Sequence, residues 1–428
     1  MPTNASTQAG SAEPRSVPNR ETTDRMRQAE PVLIDVLPAI DAVPGMTPNT
    51  ILTSGAPLPW EQYHGGQRRA VLSAAVFEGL AVDVDEADRR IRDGSIQVGF
   101  THAHGCVGSV AGIYTASMPV FVVEDQTHRT RGFCNFYEGE SRRRLNYGVY
   151  DDEVRQGLLF LQERIAPVIQ EAVRRYGGVP LKPLIAKALR MGDELHSRNT
   201  AATTLFMREL TPSLLDMAVD GQSGTVREAL AFFYASDYSF LRLSMAAAKA
   251  TADAAHGVTG SSVVTAMTIS CREFAIRVSG LGDAWFRGPL PTADCKLFEG
   301  YTEEDIEWIG GESHITETVG LGGFAQAAAF GLQAYQGGSA QAMIDMNQSM
   351  YQITAAEHDD YRIPYFGFRG SPLGIDIHQV VDTGILPVID GGLAGRNGGQ
   401  IGAGVLRAPL DCFIAAREAY DAAYPGGS

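Results

Sequence analysis

The chain is predicted to be a multi-domain α/β protein, with an α/β N-terminal domain, a central helical domain and an α+β C-terminal domain. Its 428 residues exceed what a single hydrophobic core usually serves. Strand-like runs alternate with a helical pattern up to about residue 150, which is typical of α/β units. Helical periodicity then dominates up to residue 257, and strand-like runs return after residue 260. These changes of pattern predict three domains behind an N-terminal tail.

The tail is assigned to residues 1–30, which are polar, poor in aromatics and rich in Ser, Thr, Pro and Ala. Such a segment buries too little apolar surface to fold, so the composition predicts disorder. It also lacks the continuous apolar segment of a secretory signal. The first domain, residues 31–150, opens on the buried-strand pattern PVLIDV (31–36) and continues with the helical run RRAVLSAAVFEGLA.

The second and third domains are predicted at residues 151–257 and 258–428. In the second, long helical runs end at Gly-Gly (177–178) and His-Gly (256–257), which are typical helix stops. In the third, SSVVTAMTIS and REFAIRVSG are predicted to be paired strands. IDIHQVV and IGAGVLR are further predicted strands, and DCFIAAREAYDAA is predicted to be a closing helix. This domain is expected to complete the active-site cleft.

Composition narrows the class of partner and the compartment. The net charge of −15 argues against nucleic acid, which requires clustered Lys and Arg. No apolar run approaches the roughly 20 residues that span a bilayer, so no membrane segment is predicted. Five dispersed cysteines without C-x-x-C spacing indicate reduced thiols and a cytoplasmic location. The 47 glycines, many in clusters, favour an enzyme with a small-molecule substrate.

Two histidines stand in THAHGCVGSVAG (101–112), directly after a predicted strand. His102 and His104 are two residues apart and would point the same way on an extended chain. They are candidates for acid/base catalysis or for a metal pair beside a glycine-rich loop. Two ordinary loop histidines would fit the pattern equally well.

The stretch MGDELHSRNT (191–200) concentrates polar groups between two apolar helical runs. Its candidate site residues are Asp193, Glu194, His196, Arg198, Asn199 and Thr200. If the stretch is helical, Glu194 and Arg198 form an i,i+4 pair while His196 and Asn199 share a face. That is either a solvated helix face or the floor of an active site. Gly192 and the small polar groups at a helix start, which suit anion binding, favour the second interpretation.

Further candidates for binding an anionic substrate lie in glycine-bearing loops. They are Ser54, Gly55, Asp283, Glu317, Gly322, Gly323, Arg369 and Arg396. Backbone amides of such loops can surround an anion, and an arginine there can bind a carboxylate or phosphate through two hydrogen bonds. A loop arginine in water, or a satisfied core aspartate, remains the alternative. No Walker loop, HExxH or GxSxG motif occurs.

Taken together, the motifs resemble those of the YlbE-like family, related to the oxamate carbamoyltransferase large subunit, over residues 31–420. The motifs are NTILTSGAPLPWE, THAHGCVGSVAG, MPVFVVED, MGDELHSRN, SMAAAKATADAAHGVTGSSVVTAM, FAIRVSGLGDAWF, ITETVGLGGFA, FRGSPLGIDI and GGQIGAG, in this order. The resemblance implies a multi-domain α/β fold with a helical domain. It also implies transfer of a carbamoyl group between oxalurate and phosphate, giving oxamate and carbamoyl phosphate, and a companion subunit of the FdrA type.

The resulting prediction is a carbamoyltransferase acting on a small oxamate- or ureido-type substrate with carbamoyl phosphate or phosphate. The predicted catalytic residues are His196, Glu194, His102, His104 and Asp193, and the predicted anion-binding arginines are Arg198, Arg369 and Arg396. A hydrolase or cyclase of a small amide, imide or ureido compound is one alternative. A non-catalytic subunit of a complex is another. Neither a cofactor nor a metal is predicted, and a homodimer is the default expectation.

Overall fold

The computed structural model describes residues 16–425, and it corrects part of the predicted tail. Helix α1 (Ser16–Gln28) packs on the body of the protein, with Met26 in a small core beside Val263 and Leu373. The Asn19 amide donates to Ser262 Oγ (2.9 Å). Polar side chains of this helix are buried through hydrogen bonds, which a composition rule based on apolar content cannot detect. The predicted disorder of residues 1–15 falls outside the described residues.

Helices and short strands make up most of the rest of the described chain. The strands are β1 (Pro31–Pro38), β2 (Thr50–Thr53), β3 (Gln97–Phe100), β4 (Pro119–Asp125), β5 (Arg131–Asn135), β6 (Val179–Pro180), β7 (Val264–Ile269), β8 (Phe274–Val278), β9 (Phe286–Gly288), β10 (Thr292–Leu297), β11 (Thr354–Ile363), β12 (Arg369–Ile375), β13 (Val388–Ala394) and β14 (Gln400–Arg407). The helices after α1 are α2 (Ala39–Ala42), α3 (Gly65–Phe77), α4 (Val84–Arg92), α5 (Asp152–Phe160), α6 (Ala166–Tyr176), α7 (Leu181–Arg190), α8 (Thr200–Met217), α9 (Ser223–Tyr234), α10 (Leu241–Ala254), α11 (Ile315–Thr318), α12 (Gln333–Gln336), α13 (Ala340–Met350), α14 (Ile377–Thr383) and α15 (Leu410–Ala423). This mixture confirms the α/β fold class.

The N-terminal half is built on an antiparallel sheet of order β5-β4-β1-β6. Helices α6 and α10 contact this sheet, and helices α7 and α8 pack beside them. One hydrophobic core therefore contains Leu33 and Phe121 from the sheet together with Leu184, Phe206 and Ala246 from the helices. The predicted helical domain shares its core with the predicted α/β domain, and the division into domains at residues 150 and 257 stays a prediction.

The C-terminal part contains small sheets around a second core. Strands β7, β8 and β9 form one antiparallel sheet, and β10, β14 and β13 form another. The predicted pairing of SSVVTAMTIS with REFAIRVSG is confirmed, with Met267 opposite Ile276. The predicted strand IDIHQVV is wrong beyond its first residues. Asp376 accepts a hydrogen bond from the His378 N–H (2.9 Å) and begins α14 there. Side-chain capping decided this helix against its β-rich composition.

No helix among residues 16–425 is long and apolar enough to cross a membrane.

Candidate active site

The stretch around His196 is a tight loop between α7 and α8, so the conditional helix over this region is wrong. Helix α7 ends at Arg190 and α8 begins at Thr200. Between them Gly192 has φ 101° and Leu195 has φ 73°, the left-handed region that ends helical winding. The buried Glu194 carboxylate accepts hydrogen bonds from the N–H groups of His196 (2.6 Å) and Ser197 (2.5 Å). These hydrogen bonds between backbone amides and a buried carboxylate fix the backbone conformation of the loop.

Three other predicted site residues also maintain the loop. Asp193 Oδ2 accepts from the N–H of Ala202 (2.8 Å) and thereby caps α8. The Asn199 amide donates to the carbonyl of His196 (2.9 Å). Arg198 Nε donates to the carbonyl of Gly192 (3.0 Å). The predicted Glu194–Arg198 side-chain pair does not form, because Glu194 receives the backbone N–H of Arg198 instead (3.2 Å).

The loop directs the His196 imidazole between two partners from the C-terminal part. Its Nδ1 lies 2.8 Å from Glu317 Oε1, and its Nε2 lies 2.8 Å from Ser313 Oγ. Burial lowers the pKa of His196, but the adjacent charge and hydrogen bond of Glu317 outweigh burial, and the pKa is raised. For Glu317 burial raises the pKa, and His196 outweighs it in the lowering direction. Both directions favour an imidazolium–carboxylate pair.

A glycine cluster packs against the Glu317 carboxylate. Gly323 N–H donates to Glu317 Oε1 (3.0 Å), and Gly322 N–H donates to the Glu194 carbonyl (2.7 Å). A Cβ atom on Gly322, which has φ +57°, would collide with the Glu317 carboxyl group. The cluster GLGGF was predicted to bind a substrate anion. In the structure the Gly323 amide donates to a carboxylate of the protein itself, and the Gly322 amide donates to a backbone carbonyl.

A second acid lies beside the pair. Asp390 is fully buried, and its N–H donates to Glu317 Oε1 (3.0 Å). Burial and the charge of Glu317 raise the pKa of Asp390 to about 6. The pKa of Glu194 is raised well above its usual range, by burial and then by Asp390. These acids favour sharing a proton, since two adjacent buried carboxylates repel each other.

A cleft opens directly over this network. Its lining includes Ser109, Tyr137, Arg144, Tyr147, His196, Ser197, Tyr238, Arg242, Ser313 and Asp390, with backbone from residues 309–311 and 389–394. His196, Ser313 and Asp390 reach the lining, whereas Glu194 and Glu317 stand behind it. Ionisable groups, hydroxyls and glycine backbone converge here in a concave site, as in small-molecule active sites.

Two arginines of the lining were missed as site residues. Arg144 is the last residue of the run RRR (142–144). Arg242 lies in the helical run FLRLSMAAAK. Neither guanidinium forms an ion pair with a carboxylate of residues 16–425. For Arg242 the sequence offers one indication, an arginine within an otherwise apolar helical run. Such an arginine is predicted to be buried, and a buried guanidinium requires an acceptor.

Part of the predicted site gathers around a different buried carboxylate. Glu312 accepts from Thr101 Oγ1 (2.6 Å) and from the N–H groups of Gly55 (3.2 Å) and Gly108 (3.0 Å). His102 Nε2 lies 3.7 Å from Glu312 Oε1. Burial lowers the pKa of His102 well below its ordinary value, so this imidazole is neutral. Ser54 donates to the Val110 carbonyl (2.6 Å) in the same wall. These residues lie behind the cleft and do not line it.

The remaining predicted residues lie away from the cleft. His104 Nδ1 contacts the Pro44 carbonyl (2.6 Å), and Thr200 lines a groove between α8 and α9. The Asp283 side chain is fully exposed. Arg369 is exposed and pairs with Glu357, and Arg396 is exposed in a turn. Glycine-rich sequence suggested Asp283, Arg369 and Arg396, but all three are exposed outside the cleft.

Within residues 16–425, no group of three or more His, Cys, Asp and Glu side chains has an arrangement that would hold a metal ion. Of the two histidines considered as a metal pair, His102 lies at Glu312 and His104 contacts the Pro44 carbonyl.

Comparison with known proteins identifies the family of the chain. The sequence pattern of the family described as "Oxamate carbamoyltransferase subunit AllG" matches residues 96–313. The chain is 37% identical to oxamate carbamoyltransferase subunit AllG of Escherichia coli (strain K12), covering 94% of this chain and 96% of that protein. It is 41% identical to the uncharacterized protein YahG of the same organism, covering 92% of this chain and 84% of that protein.

A solved structure has the same fold. The crystal structure of a conserved protein of unknown function from Enterococcus faecalis V583 superposes with a TM-score of 0.92 at 37% identity, covering 95% of this chain and 98% of that one. The relation to the oxamate carbamoyltransferase system is confirmed at the level of the family, whereas the name YlbE-like is not. The chain belongs to the AllG family of oxamate carbamoyltransferase subunits.

Proposed function

We propose that this chain carries the catalytic centre of a carbamoyltransferase that moves a carbamoyl group between an oxamate-type nitrogen and phosphate. One observation carries the proposal. The buried His196–Glu317 pair, with Ser313 on the second imidazole nitrogen, opens onto a cleft that also presents guanidinium groups. Carbamoyl transfer requires a proton donor at nitrogen and cationic groups at the anions, and the cleft offers both.

The reaction is assigned to these groups as follows. A phosphate oxygen attacks the carbamoyl carbon of the ureido substrate, and the carbon–nitrogen bond to the oxamate nitrogen breaks. The leaving nitrogen receives a proton from the His196 imidazolium, through the Ser313 hydroxyl that touches Nε2 (2.8 Å). In the reverse direction His196 removes that proton while the oxamate nitrogen attacks carbamoyl phosphate. Glu317 keeps its charge throughout and stabilises the imidazolium.

The test is turnover of the purified chain, alone and with its companion subunit, on carbamoyl phosphate and oxamate. Phosphate release and ureido product are followed together. His196→Asn is expected to lower kcat by about 10²–10⁴-fold. It also removes the buried partner of Glu317, so turnover is measured below the melting temperature of the variant. His104→Asn, outside the cleft, serves as the matched control and is expected to keep wild-type turnover. Full activity of His196→Asn would contradict the catalytic role.

The word "subunit" in the name of the Escherichia coli relative supports a partner chain, and we include one of the FdrA type, together with a homodimer, in the proposal. It equally supports the alternative that this chain is non-catalytic. If only a mixture with the companion is active, His196→Asn separates the two cases. Loss of turnover in the mixture places the chemistry in this chain, and unchanged turnover places it in the companion. Phosphate-independent product would favour the hydrolase or cyclase.

A further inference from the structure

Arg144 and Arg242 stand on the same aromatic ring in the cleft. The guanidinium carbon of Arg144 lies 5.2 Å from the centroid of Tyr137, and that of Arg242 lies 6.0 Å from it. Arg144 also stacks on Tyr147 at 4.6 Å. Contact with ring faces orients a guanidinium without using its N–H donors. These ring contacts therefore hold both cations in place.

The donors of both arginines are incompletely used. The Nε atoms of Arg144 and Arg242 are buried and have no hydrogen-bond partner. Arg242 is only 5% exposed, and one of its terminal nitrogens donates to Asn135 Oδ1 (3.0 Å). A buried cation with an unpartnered donor costs free energy unless an acceptor arrives.

The nearby carboxylate does not supply that acceptor. Glu138 lines the same cleft, but its oxygens accept from the N–H groups of Leu145 (2.6 Å) and Asn146 (3.0 Å). These bonds hold the backbone that follows Arg144 and so orient its side chain. Glu138 makes no ion pair with Arg144 in the part of the chain described.

We infer that Arg144, Tyr137 and Arg242 form an oxyanion-binding site that holds the anionic reactant of the transfer reaction. The inference rests on the proposed function only in taking that oxyanion to be a reactant. Planar guanidinium groups match the oxygens of carboxylate and phosphate alike. The site therefore selects small substrates that carry at least one carboxylate or phosphate group. Binding of such an anion gives two buried arginines a role in a chain whose net charge is −15.

The experiment measures binding, not turnover. Inorganic phosphate and oxamate are titrated separately into the full chain by calorimetry, with wild type, Arg144→Gln and Arg242→Lys. Arg369→Gln is the matched control, because Arg369 also stacks on a tyrosine (3.7 Å from Tyr351) but lies outside the cleft. Each cleft variant is expected to weaken binding of its anion about tenfold or more, and the control to bind as wild type. Thermal melts confirm folding, and Arg144, which is less buried, keeps the test open if Arg242→Lys is unstable.

The outcomes separate the two anions and the two proposals. Weaker phosphate binding alone assigns the site to phosphate, and weaker oxamate binding alone assigns it to the carboxylate. Unchanged binding of both anions in both variants, or no binding by wild type at millimolar concentration, overturns the site. If wild type and its mixture with the companion show no turnover while anion binding still depends on the arginines, the proposed function fails and the site stands.

Discussion

At the scale of the residue, the cleft depends on how buried charges are paired. Glu317 serves His196, and Asp390 lies next to both. Burial penalises every one of these charged groups, so each survives only through a specific partner. The arginines of the cleft are the exception, because they lack a carboxylate partner among the described residues. The paired charges of His196 and Glu317 fix the geometry of the site, whereas the arginines are available to an anionic ligand.

The charge of Glu317 is expected to determine the ionisation of His196. Replacing it in Glu317→Gln removes the influence that outweighs burial, so the pKa of His196 is expected to fall. If the imidazolium delivers the proton, the alkaline limb of kcat moves to lower pH. Nitrogen-15 NMR titration of His196 checks the pKa directly. Glu357→Gln, which removes an exposed carboxylate paired with Arg369, is the control. An unmoved His196 titration would contradict the assignment.

At the scale of the element, the loop at residues 193–199 connects α7 to α8, and its own side chains fix its conformation. Asp193 caps α8, Glu194 gathers the amides between the helices, and Asn199 ties back to His196. The loop ends where α8 can start, because Asp193 satisfies an N–H that the first turn leaves free. The site therefore inherits its geometry from the ends of two helices that belong to the main core.

Removing this cap is expected to affect both stability and catalysis. Asp193→Ala should lower the free energy of unfolding by about 1–2 kcal/mol and should lower kcat, because the loop that aims His196 loses an anchor. Asp151→Ala removes a comparable cap, from the N–H of Val154 (2.9 Å) at the start of α5. That control is expected to cost similar stability without loss of kcat. Denaturant unfolding and steady-state kinetics measure the two quantities, and equal kcat in both variants would contradict the link.

At the scale of the whole molecule, the cleft is assembled from distant parts of the chain. Its lining comes from residues 137–147, the loop at 193–199, the start of α10, residues 306–314 and strand β13. Helix α1 adds a connection between the N-terminal segment and the C-terminal part through Asn19 and Ser262. Global unfolding therefore breaks the site, and the site's buried acids contribute to global stability.

The pH dependence of unfolding should report Asp390. Its pKa is raised from 3.8 to about 6 in the fold, so between these pH values the folded state holds more protons than the unfolded state. The contribution of Asp390 to the free energy of unfolding is therefore expected to fall as the pH rises from about 4 to about 6, by on the order of 3 kcal/mol, and to stay constant above that range. Asp390→Asn imitates the protonated acid and should remove this loss. Asp283→Asn, at a fully exposed side chain, should leave it intact. A wild-type stability that rises through this range, with no effect of Asp390→Asn, would contradict it.

The sequence by itself determined the local and compositional features. The α/β class, the paired strands β7 and β8 and the helix stop at Gly177 all follow from periodicity and turn chemistry, which act over a few residues. The order of the motifs also identified the relation to the oxamate carbamoyltransferase system. The stretch 193–199 stood out because polar groups are rare between apolar helical runs, and His196 indeed faces the cleft.

Tertiary structure alone decided which residues meet. The sequence makes both His102 and His196 candidate catalytic residues, but His102 packs on Glu312 behind the wall whereas His196 lines the cleft. The sequence predicts that the glycine loops bind a substrate anion. In the structure the amides of Gly55 and Gly323 donate to Glu312 and Glu317 instead. Arg144 and Arg242 converge on Tyr137 from positions almost a hundred residues apart. Spacing along a chain carries no information on such convergence, because the packing of distant elements determines which buried charges find a partner.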